Sequence, residues 1–312
     1  MNNMFDLTWE RYIPILDIGL EEISSILTAY DKAITVSGFQ AIRLGCKNSN
    51  YVVETNKGKF LFRAASAAGL NNEIPAYALV KDKIPVPRLL FHTIRQQKHL
   101  FIYQYIPGVS LQKHIVEKGS CDYGLLEQVA AAAAVIHGVP LDDASGLTQW
   151  DVPPYAVWYE AFLENSVVRA RIGEKKREKI LRLVSDKQDF LAEIDGIRSF
   201  IHCDFRPVNM LVNQENQVFF VDWESASWGH SLADIGAFFR YRSLFNNTHI
   251  RLFEQTYRAC GGKELPDNWY DLSLLRDLVN PLQLLSSPQE APMRNRNLGD
   301  IIENTLVYWG YE

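Results

Sequence analysis

The sequence is poor in cysteine, with four among 312 residues: Cys46, Cys121, Cys203 and Cys260. They lie far apart and form no CxxC pair, so their spacing indicates neither a zinc site nor a disulfide framework. A chain with so few thiols suits a reducing compartment.

Clustered basic charge is also scarce. The formal net charge is -5, and the only short basic run, 175–177, is typical of a solvated helix face. Phosphate contacts need grouped lysine and arginine side chains, so we expect no nucleic-acid partner.

Long hydrophobic runs are absent too. The most apolar stretch, 129–136, is far shorter than a membrane span and ends at His137. The first residues lack a basic segment followed by an apolar one, so no signal peptide is expected. We expect a cytoplasmic protein without a membrane partner.

What the chain does contain is enough apolar material for a large core: 47% of its residues are hydrophobic. The early part has strand patterns and the later part is mainly helical, which predicts an α+β protein. The predicted lobes are residues 1–107 and 108–312. Helical spacing predicts one or two helices over 8–30 and others over 70–83 and 123–137; strand patterns occupy 34–36, 50–55, 59–64, 89–91, 99–105, 200–201 and 218–221.

The polar residues most suggestive of chemistry lie in the segment 200–224. Asp204 is followed five positions later by Asn209, and Asp222 ends the apolar run Phe219-Phe220-Val221. Phosphoryl transfer needs one carboxylate to orient or deprotonate a hydroxyl, and oxygen ligands to hold Mg²⁺ on the phosphates. Asp204 can serve the first purpose, and Asn209 with Asp222 the second.

These motifs resemble the aminoglycoside phosphotransferase and choline kinase-like superfamily. Its members typically show His-Gly-Asp-x4-Asn, then Ile-Asp-Trp or Ile-Asp-Phe, then an Asp-Leu-Ala-like triplet. This chain has 202–204 as His-Cys-Asp, then Asn209, 221–223 as Val-Asp-Trp, and 234–236 as Asp-Ile-Gly. The resemblance implies a protein-kinase-like bilobal fold, with a small antiparallel-sheet lobe and a larger helical lobe. It also implies ATP or GTP and Mg²⁺ as cofactors, Asp204 as catalytic base, and Asp234 as a structural brace.

The first lobe extends the resemblance. Gly45, Asn48 and Tyr51 match the family form Gly-x-x-Asn-x-x-Tyr, and the segment with Ser49 is similar to the nucleotide loop of homoserine kinases of the same superfamily. Neither a Walker A motif nor the glycine-rich motif of protein kinases is present. Read alone, the segment fits an ordinary hairpin turn equally well.

The same resemblance assigns further nucleotide-binding residues. Arg63 occupies the place of the phosphate-binding lysine, with Lys59 as a weaker competitor, and Glu73 supplies the carboxylate that pairs with this cation. The hinge corresponds to Gln104, Tyr105 and Ile106, while Leu211 and Val221 are expected on the floor of the base pocket.

Two residues depart from the family pattern. Cys203 replaces the usual glycine, and Arg206 stands two positions after the catalytic aspartate. The charge of Arg206 can meet the transferring phosphate, which would make it catalytic, or it can pair with a nearby acid.

The acceptor is less defined. Trp158, Glu224 and Trp228 are the selected candidates for the acceptor site, from a wider set that also includes Trp150, Tyr155 and Tyr159. Aromatic rings beside a carboxylate suit a cationic compound, but each aromatic residue fits a core position as well. The alternatives are an aminoglycoside, a choline-like amine, an amino alcohol or a sugar.

Two functions are therefore compared. The first is phosphoryl transfer from ATP or GTP to a hydroxyl of a small molecule. The second is a nucleotide-binding pseudokinase with a regulatory or scaffold role, suggested by Arg63 in place of lysine and by the reduced glycine loop. The sequence leaves the oligomeric state open.

Overall fold

A computed structural model describes residues 9–43, 45–67, 71–140, 146–149, 152–196 and 199–311. It has a small sheet-containing lobe and a larger helical lobe, as the resemblance implies. No helix within these ranges is long and apolar enough to cross a membrane. The first lobe contains α1 (Leu20–Tyr30), β1 (Val36–Ile42), β2 (Ser49–Thr55), β3 (Gly58–Ser66), α2 (Glu73–Val80), β4 (Leu89–Arg95) and β5 (Lys98–Gln104).

The remaining elements form the helical lobe with its short strands. In chain order they are β6 (Gly108–Ser110), α3 (Leu111–Lys118), α4 (Tyr123–His137), α5 (Tyr155–Glu164), α6 (Ser166–Ile172), α7 (Glu174–Asp186), α8 (Gln188–Gly196), β7 (Ser199–Ile201), β8 (Met210–Asn213), β9 (Val218–Phe220), β10 (Ser227–Gly229), α9 (Leu232–Phe239), α10 (Asn247–Ala259), α11 (Trp269–Leu285) and α12 (Pro292–Tyr308).

The sheet of the first lobe has five strands in the order β1-β2-β3-β5-β4, and all its pairs are antiparallel. Tyr51, Val53 and Phe62 are buried on one face, where Ile23 and Leu27 of α1 pack against the same apolar cluster. The i, i+4 spacing of these two helix residues puts them on one side of α1. Helix α1 therefore packs against the sheet that includes β3, the strand that carries Arg63.

A second, three-stranded sheet begins the helical lobe. Its order is β6-β8-β9, so the segment after the predicted hinge pairs directly with the hairpin that follows 202–209, the predicted catalytic loop. A Cβ atom at Gly108 would lie 2.2 Å from the carbonyl oxygen of Val212. Only glycine permits this approach, which fixes the hinge against the hairpin.

The large core of the helical lobe lies beneath the catalytic loop. Gly236 of α9 lies so close to α11 that a Cβ atom there would be 2.1 Å from the carbonyl oxygen of Ser273. Arg240 donates to both carboxylate oxygens of Asp277 across the same contact, at 2.8 and 2.7 Å. Helix α11 is thereby held against the helix that carries Asp234.

Most predicted elements are present, several with changed boundaries, and two of these changes are large. Helical spacing over 8–30 corresponds to one helix, α1, which begins only at Leu20; residues 9–19 are not helical, and Pro14 removes an amide donor there. The first strand is Val36–Ile42 rather than 34–36, because its pairing with β2 outweighs the weak strand preference of Ser37 and Gly38.

Candidate active site

The catalytic loop is fixed from below by Asp234 of α9, which is fully buried. Its carboxylate accepts the amide of His202 at 2.7 Å and that of Cys203 at 2.9 Å. His137 of α4 lies 3.3 Å from the same carboxylate and 2.9 Å from the Tyr257 hydroxyl. These contacts agree with the bracing role that the family resemblance implies for Asp234.

Asp204 follows directly and its carboxylate is held on both oxygens. Arg206 donates from Nε to Oδ1, and from Nη2 to Oδ2 at 2.7 Å; Asn209 Nδ2 also donates to Oδ2 at 2.7 Å. Burial alone raises the pKa of Asp204, but the charge and hydrogen bonds of Arg206 outweigh it and lower the pKa to about 2. Asp204 is therefore ionised throughout the physiological range.

Asn209 and Asp222, the predicted metal ligands, meet beside this carboxylate. The Val221 amide donates to the Asn209 carbonyl oxygen at 3.0 Å, which joins the two segments. Because Asn209 Nδ2 also donates to the Asp204 backbone at 2.9 Å, its Oδ1 is left for another ligand. The described residues contain no group of three or more His, Cys, Asp or Glu suited to a metal. An amide and one carboxylate fit Mg²⁺, which takes few protein ligands and completes its shell with phosphates and water.

Arg63 enters the site from β3 and is 6% exposed. Its Nη2 donates to Asp222 Oδ1 at 2.5 Å and to Glu224 Oε2 at 3.0 Å, and Nη1 lies 3.7 Å from the Glu73 carboxylate. Burial alone would lower the pKa of Arg63, but these three acids raise it well above its usual value. Burial raises the pKa of Glu73, and Arg63 opposes that effect. The predicted cation and helix carboxylate are thus neighbours, while Lys59 pairs with Glu54 at the surface.

The predicted nucleotide loop connects β1 to β2 and faces this cluster. Asn48 Nδ2 donates to Glu224 Oε2 at 2.8 Å, and Lys47 Nζ lies 3.3 Å from Oε1. Gly45 has a left-handed φ of 95°, which favours glycine. The Ser49 hydroxyl is turned away, accepting the Leu16 amide at 2.9 Å. Leu44 lies outside the described residues.

The predicted base pocket lies between the two sheets. Gln104 ends β5, Ile106 is 9% exposed, and Tyr105 lies between them, just before β6. Leu211 pairs with Ser110 of β6 and Val221 follows β9; both are partly exposed. These apolar side chains therefore lie on the hairpin that adjoins the hinge, and their contact with a base stays a prediction.

The three predicted acceptor-site residues lie on different elements and have different partners. Trp158 of α5 contacts Tyr155 and Phe162, and Trp228 of β10 packs edge-to-face on Phe200 at 5.9 Å. The side-chain contacts of Glu224 are those with Arg63, Lys47 and Asn48, on the nucleotide-loop side. Trp150 lies outside the described residues. Acceptor binding by Trp158, Glu224 and Trp228 stays a prediction.

Sequence reasoning missed residues of the segment before α1. Arg11 donates to the carbonyl oxygens of Gly45, Lys47 and Asn48, at 2.5, 3.2 and 2.8 Å. On the other side, the Trp9 ring centroid lies 5.6 Å from the Arg206 guanidinium carbon. The segment thus links the nucleotide loop to the catalytic loop. Its composition gave no signal, because its partners come from distant parts of the chain.

Comparison with known proteins identifies a family and a set of similar structures. The sequence model of the phosphotransferase enzyme family matches residues 38–267. No curated protein sequence matches the chain significantly.

Solved structures share the fold at low identity. They include the AMP-bound spectinomycin phosphotransferase APH(9)-Ia (14% identity, 93% of this chain and 98% of that one, TM-score 0.67) and the choline kinase LicA from Streptococcus pneumoniae (16%, 92% and 98%, 0.65). Aminoglycoside phosphotransferase APH(4)-Ia is a third (15%, 90% and 97%, 0.61). The chain belongs to the phosphotransferase enzyme family and is a small-molecule kinase with the protein-kinase-like fold.

Proposed function

We propose that this protein transfers the γ-phosphoryl group of ATP or GTP to a hydroxyl of a small molecule, with Mg²⁺ bound by Asn209 and Asp222. The observation that carries the proposal is the convergence of Asp204, Asn209, Asp222 and Arg63 at one place. Asn209 Nδ2 lies 2.7 Å from Asp204 Oδ2, and Arg63 Nη2 lies 2.5 Å from Asp222 Oδ1.

Asp204 acts on the acceptor hydroxyl mainly by orienting it. A carboxylate whose pKa is about 2 is a weak base toward an alcohol, but its ionised oxygens accept a hydrogen bond well. In the loose transition state of phosphoryl transfer the hydroxyl becomes acidic late, as its oxygen bonds to phosphorus. Asp204 then receives the proton after the hydroxyl oxygen has been aligned with the phosphorus.

The metal would supply charge neutralisation at the phosphate oxygens. The protein contributes Asp222, held by Arg63, and Asn209, whose amide is oriented by two hydrogen bonds to Asp204. Arg63 adds a buried guanidinium that can bind phosphate oxygens through two donors. The backbone of the loop 45–48, fixed by Arg11, would cover the phosphates.

The alternative is a pseudokinase that binds nucleotide without transferring phosphate. The observation that favours it is the ion pair between Arg63 and Asp222, since metal bound at Asp222 must share that carboxylate with Arg63. The presence of both oxygen ligands and of the aspartate favours the kinase.

The test is a coupled assay of ADP or GDP release with Mg²⁺ over aminoglycosides, choline, amino alcohols and sugars. Asp204→Asn should abolish acceptor-dependent release while nucleotide affinity, measured by calorimetry, stays within about two-fold. Asp189→Asn, at an exposed position of α8, is the matched control and should match wild type. Turnover by Asp204→Asn equal to wild type would overturn the role of Asp204. Nucleotide binding without release for any acceptor would favour the pseudokinase.

A further inference from the structure

Arg276 of α11 is a buried cation that ion pairs do not neutralise. Arg276 is 8% exposed, and no carboxylate in the described part of the chain lies within ion-pair distance of its guanidinium. Its Nε is buried without a hydrogen-bond acceptor, and its two neutral partners are the Asn280 oxygen, 3.4 Å from Nη1, and the Tyr155 hydroxyl. An unneutralised buried charge is costly, so a partner from outside the chain would relieve it.

The surroundings of Arg276 are aromatic and neutral. Its guanidinium carbon lies 4.7 Å from the ring centroid of Tyr155 and 5.9 Å from that of Trp158. Two acids of neighbouring segments have other partners: Asp277 accepts both hydrogen bonds from Arg240, and Asp195 accepts the Tyr155 amide at 3.0 Å. The positive charge therefore remains uncompensated.

The position of Arg276 connects it to the catalytic loop. Gly236 contacts α11 at Ser273 and Asp277, either side of Arg276, and Asp234 on the same helix holds the amides of His202 and Cys203. Burial raises the pKa of the Cys203 thiol, and the charge of Arg276 opposes that effect. Burial also lowers the pKa of His230, and the charge of Arg276 lowers it further. Cys203 directly precedes Asp204, so the guanidinium lies near the segment that carries the proposed catalytic carboxylate.

We propose that Arg276 binds an anionic group of the acceptor, a carboxylate or a phosphate, so that the substrate is a hydroxyl compound with a negative charge. This inference rests on the proposed kinase function and names its substrate class. Two donors of a guanidinium match two oxygens of a carboxylate or phosphate. The flat faces of Tyr155 and Trp158 keep the guanidinium plane in place.

The assignment changes the expectation drawn from the aromatic residues. Trp158 was predicted to favour a cationic acceptor, but its face is already occupied by Arg276. A cation bound there would be repelled by the guanidinium, whereas an anion would be attracted.

The test compares matched compounds by calorimetry, with the nucleotide site filled by Mg²⁺ and AMP-PNP. The pairs are glycerate and glycerol 3-phosphate against glycerol, and homoserine against 3-aminopropan-1-ol, which lacks the carboxylate; choline is the cationic reference. Wild type should bind an anionic member about ten-fold or more tightly than its partner, since hydrogen bonds to charged groups are strong. Whether carboxylate or phosphate is preferred distinguishes the two forms of the ligand.

Two substitutions locate the effect. Arg276→Gln should remove the preference, and Arg276→Lys should keep part of it because the charge remains. Arg258→Gln, on the surface of α10, is the control and should behave as wild type. The wild-type comparison needs no variant, so it stands even if Arg276→Gln does not fold.

The outcomes separate this inference from the proposed function. Turnover or binding that favours glycerol, 3-aminopropan-1-ol or choline would leave the kinase intact and overturn the anionic acceptor. An unchanged preference in Arg276→Gln, or no binding of any anion at millimolar concentrations, would also overturn it. Failure of AMP-PNP to bind would count against the kinase alone, because the anions can be titrated without nucleotide.

Discussion

Arg63 Nη2 and Asp222 Oδ1 lie 2.5 Å apart, although 159 positions separate the two residues in the chain. The same guanidinium is 3.7 Å from Glu73, the carboxylate of α2. Arg63 thus connects β3 and α2 of the first lobe to Asp222, the predicted metal ligand of the second lobe. A lysine ammonium carries its three donors on one nitrogen, so it cannot reach these acids from two separate nitrogens as the guanidinium does.

Arg63→Lys should therefore weaken nucleotide use even though the charge is kept. We expect kcat/KM for ATP to fall about ten-fold in Arg63→Lys and roughly 10²–10³-fold in Arg63→Ala, which also leaves the buried Glu73 without its neighbouring cation. Steady-state kinetics with varied ATP measures both. Arg95→Lys, at an exposed position of β4, is the control and should be silent. Wild-type kinetics in Arg63→Lys would show that the separate donors are unnecessary.

Arg206 controls the ionisation of Asp204. Its charge and hydrogen bonds bring the pKa of Asp204 to about 2, against burial, which raises it. Arg206→Gln removes this charge. Burial is then no longer outweighed by Arg206, so the pKa of Asp204 rises. Protonation then begins at a higher pH as the solution is acidified.

The expected result is an acidic limb in the kcat/KM profile of Arg206→Gln at a pH where wild type is flat. Arg206→Lys keeps the charge and should remain close to wild type in the position of that limb. Rate profiles between about pH 4 and 8 on the same acceptor measure the difference. Superimposable profiles for wild type and Arg206→Gln would contradict the assignment.

The pair of Arg240 and Asp277 holds α9 to α11. Both side chains are 4% exposed, so Asp277→Asn leaves a buried arginine without its counter-charge. We expect a loss of about 3–5 kcal/mol in the free energy of unfolding. Arg240→Met combined with Asp277→Leu should recover much of it, because no unpaired charge is buried. Urea denaturation measures all three proteins, and a double variant less stable than Asp277→Asn would refute this account.

The sequence could predict elements whose signal is local. The hairpin of β2 and β3 has alternating apolar residues and the turn Asn56-Lys57-Gly58, and it forms with nearly the predicted bounds. The fully helical segment 123–137 is likewise α4. The predicted bounds of β1 were wrong because Gly38 and Gln40 gain their extended form from pairing with β2.

The site was predictable only in part, for the same reason. Asp204, Asn209 and Asp222 lie close in sequence between apolar strands, so their motif is visible. Arg276 and Asp277 are charged residues of a helix and would normally be assigned to its solvent face. Asp277 is buried by the close approach of α9 at Gly236, and Arg276 lies against the rings of Tyr155 and Trp158 of α5; no local pattern encodes either contact.

His230 should make the protein sensitive to mild acid. Burial, then the charges of Arg276 and His137, lower its pKa to about 4, and its Nδ1 accepts the Leu232 amide at 3.1 Å. The unfolded chain takes up this proton near pH 6.5 and the folded chain only near pH 4. The stability it contributes is therefore complete above about pH 6.5 and is lost as the pH falls toward 4, by about 3 kcal/mol at most.

Asn in place of His230 keeps an acceptor for the Leu232 amide and removes the titrating group. We expect the unfolding free energy of His230→Asn to fall less between pH 7 and pH 5 than that of wild type. Urea titrations at the two pH values give the comparison. The depressed pKa values of His92 and His99 remain in both proteins and so cancel in the difference. Equal losses would mean that His230 does not contribute.

Cys203 has a φ of 64°, a left-handed conformation in the place where the family usually has glycine. The backbone is held there by Asp234, which accepts the Cys203 amide at 2.9 Å. A residue with a Cβ atom loses about 1–2 kcal/mol in this conformation, whereas glycine adopts it freely. Cys203→Gly should therefore be more stable than Cys203→Ala, by about 1 kcal/mol. Both variants lose the sulfur, so its packing cancels in the comparison.

Gly124 is the control, because it lies in the first turn of α4 with open space around it. There alanine should be more stable than glycine, because alanine favours helices, so Gly124→Ala should be more stable than wild type. Denaturant titrations of the four proteins settle the point. If Cys203→Ala is the more stable of its pair, the positive φ costs nothing and the glycine of the relatives needs another explanation.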